Sequence, residues 1–372
     1  MHATRALIHL DLLRSNIAAV KAFVGGRKIC FPVKADAYGH GAVPAAAAAL
    51  GAGVDFLAVA TAQEGEELRL AGIQAPILLL SLPSPEELPA LIASRLTPMV
   101  ADAAFARELD AAAAAAGTTV PVHLKIDTGM GRIGCRPEDA AGFAAETAAL
   151  RSLRIEGTAT HLAAADSRDG GDIAYTERQV DAFESALAAI RAAGIDPGIL
   201  HAANSGGVFL HPRSWFDMVR PGLALYGYPP VDGMDGALRV SPVMELESRI
   251  VFIKRVRAGE SISYGRIWTA DRDTVIGTIP VGYADGLPRG LSNRLTVIVG
   301  GRAFPQVGRI CMDQCMADLG PDSSARKGDR VVLFGPGPGV PSAADLAREH
   351  GTIPYEITCG INKRVPRVYR ET

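Results

Sequence analysis

The stretch Phe31-Pro32-Val33-Lys34-Ala35-Asp36-Ala37-Tyr38-Gly39-His40-Gly41 carries the side chains best suited to covalent chemistry. Lys28 to Val33 predicts a short buried strand and Ala42 to Leu50 an Ala-rich helix, so Lys34 stands where a strand gives way to a loop. A lysine there takes its ammonium into a confined place. Confinement favours the neutral amine, lowers its pKa and makes it a nucleophile for a carbonyl. The competing reading is a lysine that snorkels from a strand end into water.

Chemistry at Lys34 requires elements that bring other polar groups to it. Apolar runs of about five residues alternate with helical patterns through the first 235 residues. The predicted strands are Ile29–Val33, Phe56–Ala60, Ile77–Leu80, Leu96–Val100, Val120–Ile126, Ile155–Thr160, Ile199–Ala202 and Met218–Arg220. Val43–Leu50, Ala62–Leu70, Pro85–Ser94, Ala101–Ala116, Glu138–Leu150 and Tyr175–Ala193 read as helices between them. In the last, Val180, Phe183, Leu187 and Ile190 form one apolar stripe. Eight strands alternating with helices is the count of a TIM barrel, with a doubly wound sheet as the alternative. The barrel demands that polar groups collect at the C-terminal strand ends. Lys34, the Asp127–Arg132 loop, His161, Asn204-Ser205 and Arg220-Pro221-Gly222 stand there.

In a closed barrel, strand eight neighbours strand one. A phosphate held after strands seven and eight would sit beside Lys34. Ser205, Gly222, Leu223 and Tyr38 offer hydroxyls and amides for it, and an aldehyde cofactor bearing a phosphate fits that arrangement. Asn204-Ser205-Gly206-Gly207 also reads as an ordinary helix cap. No Gly-x-Gly-x-x-Gly fingerprint or P-loop is present. Arg220 ends a buried strand and needs a partner, for which a pyridine nitrogen is one candidate. An arginine keeps its proton, so such a ring nitrogen would stay unprotonated and the ring would be a weaker electron sink. That suits a reaction that only moves a proton.

After Tyr228-Pro229-Pro230 the texture changes. Pro229 to Gly236 reads as a linker. Then come the strands Glu245–Val256, Thr274–Ile279, Leu295–Val299, Ala303–Gln306, Met312–Asp318 and Arg330–Leu333, separated by Gly and Pro as in an antiparallel β domain. A short helix, Ala343–His350, and the stretch Pro354–Cys359 interrupt them. This half adds Tyr264, Tyr283, Met312, Asp313 and Tyr355, each of which alone would read as packing or surface.

The chain has 372 residues, 48% hydrophobic, with a net charge of −2. These values suit a soluble two-domain protein and leave no basic footprint for nucleic acid. Met1 to Asn16 alternates charged and apolar residues and has no signal-peptide core, and no stretch reads as a membrane span. Five scattered cysteines fit a reducing cytoplasm, and Cys311 and Cys315 lack the companions of a zinc site, so no metal is expected.

Taken together these strings resemble the alanine racemase family from one end of the chain to the other. The resemblance implies a pyridoxal 5′-phosphate enzyme joining an α/β TIM barrel (11–235) to a mainly antiparallel β domain (236–372), with a strand within 1–10 belonging to the β domain. It also implies a cytoplasmic homodimer whose β domains complete each other's sites, interconverting L- and D-alanine to supply D-alanine for peptidoglycan. On that resemblance Lys34 is the lysine that holds the cofactor and one of two catalytic bases. Tyr264 is the opposite base, contributed by the partner. His161 bonds that tyrosine, and Arg220 meets the ring nitrogen. Arg132 serves the cofactor's ring oxygen and the substrate carboxylate, which the Met312 amide also holds. Tyr38, Ser205, Gly222, Leu223 and Tyr355 form the phosphate shell, while Tyr283 and Asp313 line the partner-side entrance. Lys125 matches a lysine carbamylated in many members. Inverting an α-carbon needs proton removal on one face and delivery on the other, so Lys34 and Tyr264 would act on opposite faces. A decarboxylase of the same architecture, a broad-specificity racemase and a non-catalytic cofactor-binding protein are the rival readings. A decarboxylase would usually pair the ring nitrogen with a carboxylate and bring a cysteine near Cα, where this chain has Arg220 and Tyr264.

Overall fold

A computed structural model describes residues 3–231 and 238–371. The expected domain boundary at 235/236, the end of the expected linker, residues 1 and 2 and residue 372 lie outside the described residues. Eight short parallel strands, Lys28–Pro32, Phe56–Val59, Ile77–Leu79, Thr97–Val100, Val120–Lys125, Leu153–Ala159, Ile199–His201 and Met218–Val219, follow one another around a ring. The eighth pairs with the first through Lys28↔Met218 and Ile29↔Val219. Between the seventh and eighth, Asp217 closes the ring. Its amide donates to Leu200 O (3.0 Å) and its carboxylate accepts from the Leu200 amide (2.9 Å).

Side-chain alternation along these strands separates two cores. Ile29, Phe31, Leu57, Ile77, Leu79, Val122 and Leu124 point outward into the main core with the helices. Cys30, Phe56, Ala58, Leu78, Met99 and Met218 point inward and fill part of the barrel. Full burial of one such Phe or Leu stabilises the fold by roughly 1.5–3 kcal/mol. The rest of the interior is polar, with His123, Lys125, His201 and Arg220 all buried. Gly157 makes room for this, because a Cβ there would lie 2.5 Å from the His123 ring.

The helix Leu10–Phe23 fell outside the sequence expectations, although it buries Leu10, Leu13, Ile17 and Val20 at helical spacing. Its buried Asn16 accepts from the Ser241 amide (2.8 Å) and donates to Leu225 O (3.1 Å) and Ser241 O (2.9 Å), fastening the chain where it leaves the barrel. The segment predicted as one helix over Pro85–Ser94 is a 3₁₀ turn, Pro85–Glu87, followed by a helix, Leu88–Ala93.

The second sheet has nine strands, with neighbours antiparallel except one pair. Arg5–His9 lies between Met244–Arg249 and Arg367–Arg370, so residues from near both ends of the chain sit side by side. Buried Glu247 bonds Arg5 and Arg330, and Glu245 also bonds Arg330, pinning three strands together. The strand expected over Glu245–Val256 divides into Met244–Arg249 and Phe252–Val256, because the first pairs with Arg330–Phe334 and the second with Thr274–Ile279. The strand expected from Met312 begins only at Cys315. Before it the chain turns, with Cys311 O and Met312 O accepting the amides of Tyr283 and Ala284 (both 3.0 Å). Pro354–Gly360 is a helix.

Candidate active site

Strand alternation and strand ends bring Lys34, Lys125, Arg132, His161 and Arg220 to one cavity of about 240 Å³ at the C-terminal mouth of the barrel. Four of these five groups are cations, and they face one another with little counter-charge. Burial and the Arg132 guanidinium lower the pKa of Lys34, with Glu64 opposing. Burial and then Arg220 bring Lys125 down to about 7, although its Nζ donates to Ile126 O (3.0 Å). A cavity of this sign is built to receive an anion, and it holds amines in reach of their neutral, nucleophilic form.

The hydrogen bonds of Arg220 settle the protonation of its neighbours. The guanidinium donates to His201 Nδ1 (2.6 Å), His161 Nδ1 (3.2 Å), Thr160 O (2.8 Å) and Ala202 O (3.0 Å). An arginine has nothing but donors, so both histidines accept at Nδ1 and carry their proton on Nε2. His201 then donates to His123 Nδ1 (2.7 Å), and His123 Nε2 lies 3.5 Å from Glu156 at the far end of the barrel. Burial and the positive charge of Arg220 push His161 and His201 well below the ordinary histidine range, so both rings are neutral. His161 therefore offers an Nε2–H donor, the form that would stabilise a phenolate.

The second wall of the mouth is a cradle of hydroxyls and amides. Tyr38, Ser205, Gly222 and Tyr355 line a cavity that also reaches Lys34. Gly222 must lack a Cβ, which would sit 2.9 Å from the Tyr38 hydroxyl. The amides of Ser205, Gly206, Gly222 and Leu223 open short helices, where backbone geometry gives an N–H no acceptor of its own. Burial raises both tyrosines, Tyr355 to about 12, so each keeps a proton to donate. Tyr226 braces this wall from below. It donates to Pro32 O (2.9 Å) and packs on Tyr38 at 4.8 Å. Phosphate on this side and an aldehyde on Lys34 match the residues present.

The loop after Lys34 is strained. Ala35, Asp36, Ala37 and Tyr38 have φ of 51°, 53°, 52° and 53°, a left-handed turn without a glycine that costs roughly 1–2 kcal/mol per residue. Across the mouth, Asp127 Oδ1 accepts the amides of Gly129 and Gly131 (both 3.0 Å) and shapes the loop that carries Arg132. Gln179 donates to His161 O (3.1 Å) and accepts from the Ala163 amide (2.9 Å), fixing the His161 segment.

Tyr264, Tyr283 and Met312 lie elsewhere. They are 72%, 42% and 52% exposed on the β domain, and none lines the cavities around Lys34. They nonetheless form one unit. Ser263 Oγ donates to Arg309 O (2.7 Å), and the Tyr283 turn is bonded to Cys311 and Met312 as above. Arg364 joins Asp285 to Asp313 (both 2.7 Å). His123, His201, Glu64 and Gln179 escaped the sequence reading. For the two histidines the one available signal was a polar residue inside an otherwise apolar strand.

Comparison with known proteins agrees with this geometry. The alanine racemase N-terminal domain model matches residues 8–230 and the C-terminal domain model residues 243–369. An alanine racemase of Treponema denticola is 49% identical over 374 residues, covering 99% of this chain and 98% of that protein. The structure of an alanine racemase from D-cycloserine-producing Streptomyces lavendulae superposes with a TM-score of 0.94 at 38% identity, covering 100% of this chain and 98% of the other. That of Bacillus anthracis, with bound L-Ala-P, gives 0.92 at 34% identity, covering 100% and 96%. With both domains matched and the whole length aligned, the chain belongs to the alanine racemase family.

Proposed function

We propose that this protein is a pyridoxal 5′-phosphate-dependent isomerase that interconverts L- and D-alanine with two bases and so supplies D-alanine for peptidoglycan. The observation that carries the reading is the convergence of Lys34, Arg132, His161 and Arg220 beside the hydroxyl-and-amide cradle. When bound, the cofactor supplies an electron-withdrawing ring that acidifies the Cα proton of an amino acid. Lys34 would hold its aldehyde carbon. Tyr38, Ser205, Gly222, Leu223 and Tyr355 would hold its phosphate, and Arg220 would donate to its ring nitrogen. Because an arginine keeps its proton, that nitrogen would stay unprotonated, which limits electron withdrawal and favours simple return of the proton.

Lys34 serves as the base on the D face and Tyr264 as the base on the L face. An ordinary tyrosine titrates near 10, so Tyr264 needs the neutral Nε2–H of His161 beside its oxygen. Tyr264 is exposed on its own chain, and this supports a homodimer in which the β domain of one subunit, expected over 236–372 with the strand near the N-terminus, closes the barrel site of its partner, expected over 11–235. Arg132 and the Met312 amide orient the substrate carboxylate, with Tyr283 at the entrance. Among the described residues no helix is long and apolar enough to cross a membrane, and all five cysteines are free. The free thiols support a cytoplasmic setting.

The test is to purify the protein, look for a visible absorbance removed by borohydride, and assay racemisation of alanine beside serine, arginine and lysine. Racemisation selective for alanine, with the absorbance lost in Lys34→Ala, is the expected result. A protein without the absorbance overturns the reading, and its retention in Lys34→Ala overturns the role of that lysine.

A further inference from the structure

The left-handed turn over Ala35–Tyr38 is the least favourable backbone near the site, and it begins at the residue after Lys34. Several groups oppose its unwinding. Arg367, from the C-terminal strand, donates to Gly39 O (3.0 Å). Asp36 Oδ1 accepts from the Ala42 amide (2.8 Å), and His40 Nδ1 lies 2.9 Å from Ala37 O. These hold the far end of the turn. At the lysine end the side chain in that position is Glu64, from the helix Ala62–Leu70. Its Oε1 accepts from the Ala35 amide (2.7 Å), while Oε2 accepts from the amides of Ala60 (2.7 Å) and Thr61 (3.4 Å).

We propose that Glu64 is a positioning residue for Lys34, stapling the amide next to the lysine to the end of the neighbouring barrel strand. The inference rests on the role given to Lys34 above. Glu64 also closes a capping box with Thr61, a purely structural duty. The two duties need different chemistry. A capping box accepts Glu or Gln at this position. The staple needs acceptors at both ends of one side chain, and a glutamine has one acceptor oxygen and an NH₂ that would face another N–H. A conservative Glu64→Gln change therefore keeps the cap and opens the staple.

The experiment compares full-length wild type, Glu64→Gln and Thr61→Ala. Deuterium exchange of the peptide containing Ala35 is read in the cofactor-free chain, and kcat, KM and melting temperature in the holoenzyme. Loss of the staple exposes the Ala35 amide, so its exchange quickens in Glu64→Gln. A displaced lysine lowers kcat by about 10–100-fold, with KM and melting temperature close to wild type. Thr61→Ala, which removes the cap and spares the staple, keeps wild-type kcat and Ala35 exchange. Unchanged exchange or unchanged kcat in Glu64→Gln overturns the proposal. So does an equal loss in Thr61→Ala, or a Glu64→Gln chain that does not fold, since both make the residue structural. A wild type without borohydride-sensitive absorbance overturns the role of Lys34 itself, and that result is separate from all the others.

Discussion

The barrel mouth and the exposed face of the β domain each hold half of the proposed chemistry, and they are built differently. At the mouth, Lys125 and Arg220 are buried, Lys34 and His161 are half-buried and Arg132 is exposed, and Arg220 alone fixes two histidine tautomers. On the β-domain face, Tyr264 and Met312 are more than half exposed, and what is fixed there is the backbone. The Tyr283 and Met312 turns are bonded amide to carbonyl, and Arg364 clamps Asp285 to Asp313. One region sets charge and the other sets shape. A confined cationic pocket can prepare an amine base by itself, whereas an exposed tyrosine would need the donor that the proposed interface brings to it.

That division is broken most sharply at Tyr264. Replacing it by phenylalanine removes the proposed L-face base and leaves the cavity around Lys34 intact. Proton abstraction from L-alanine is expected to fall by about 10²–10⁴-fold, the usual contribution of a positioned base. Abstraction from D-alanine, assigned to Lys34, should fall far less, as read by solvent isotope exchange from each enantiomer. Equal losses from both would show that the two regions do not divide the faces between them.

The sharing of the site between chains is tested by mixing Lys34→Ala and Tyr264→Phe subunits after mild dissociation. In a mixed dimer one site carries both lesions and the other carries neither. Random pairing makes half of the dimers mixed, so activity should return to about one quarter of wild type. Activity that stays at the level of the parents would place both bases on one chain.

The two regions also differed in how far the sequence revealed them. The eight barrel strands were legible within two residues of their ends, because each is a short apolar run bounded by turn residues and flanked by a periodic helix. Lys34, His161 and Arg220 were legible as polar groups at the ends of such runs, where the barrel rule asks for them, although the lysine could also have snorkelled into water and the roles of all three came from the family resemblance. Tyr264 was not legible from spacing, since an exposed tyrosine after a short strand carries no pattern, and only the family resemblance singled it out. Glu64 and Gln179 look like surface residues of amphipathic helices. Their importance depends on which backbone amides the fold brings within 3 Å of them, and that is a property of tertiary contact. The left-handed turn after Lys34 was hidden for a similar reason. Ala-Asp-Ala-Tyr carries no glycine to announce positive φ.

The smallest effect concerns the charge balance of the mouth and falls on Lys125. It faces Arg220 from strand eight and Arg132 from the neighbouring loop, with Asp127 and the Cys135 thiol opposing them. Its folded-state pKa is about 7 against an ordinary value of 10.5. Between those values the unfolded chain binds a proton that the folded chain does not, so stability rises with pH across that window. Below pH 7 both states are protonated and the cost of burying the ammonium is paid in full. Above the ordinary value neither is, and the cost is gone. If the neutral amine captures CO₂ to give a carbamate and a proton, as the family resemblance implies, the folded state sheds its proton more readily still and the sign is unchanged. Relative to Lys125→Met, the wild-type protein should gain up to about 1.4 kcal/mol of stability per pH unit above pH 7. Paired denaturant melts from pH 6 to 9 read this directly. Two curves that stay parallel would mean that Lys125 keeps its charge at the mouth, beside the fixed charges of Arg132 and Arg220.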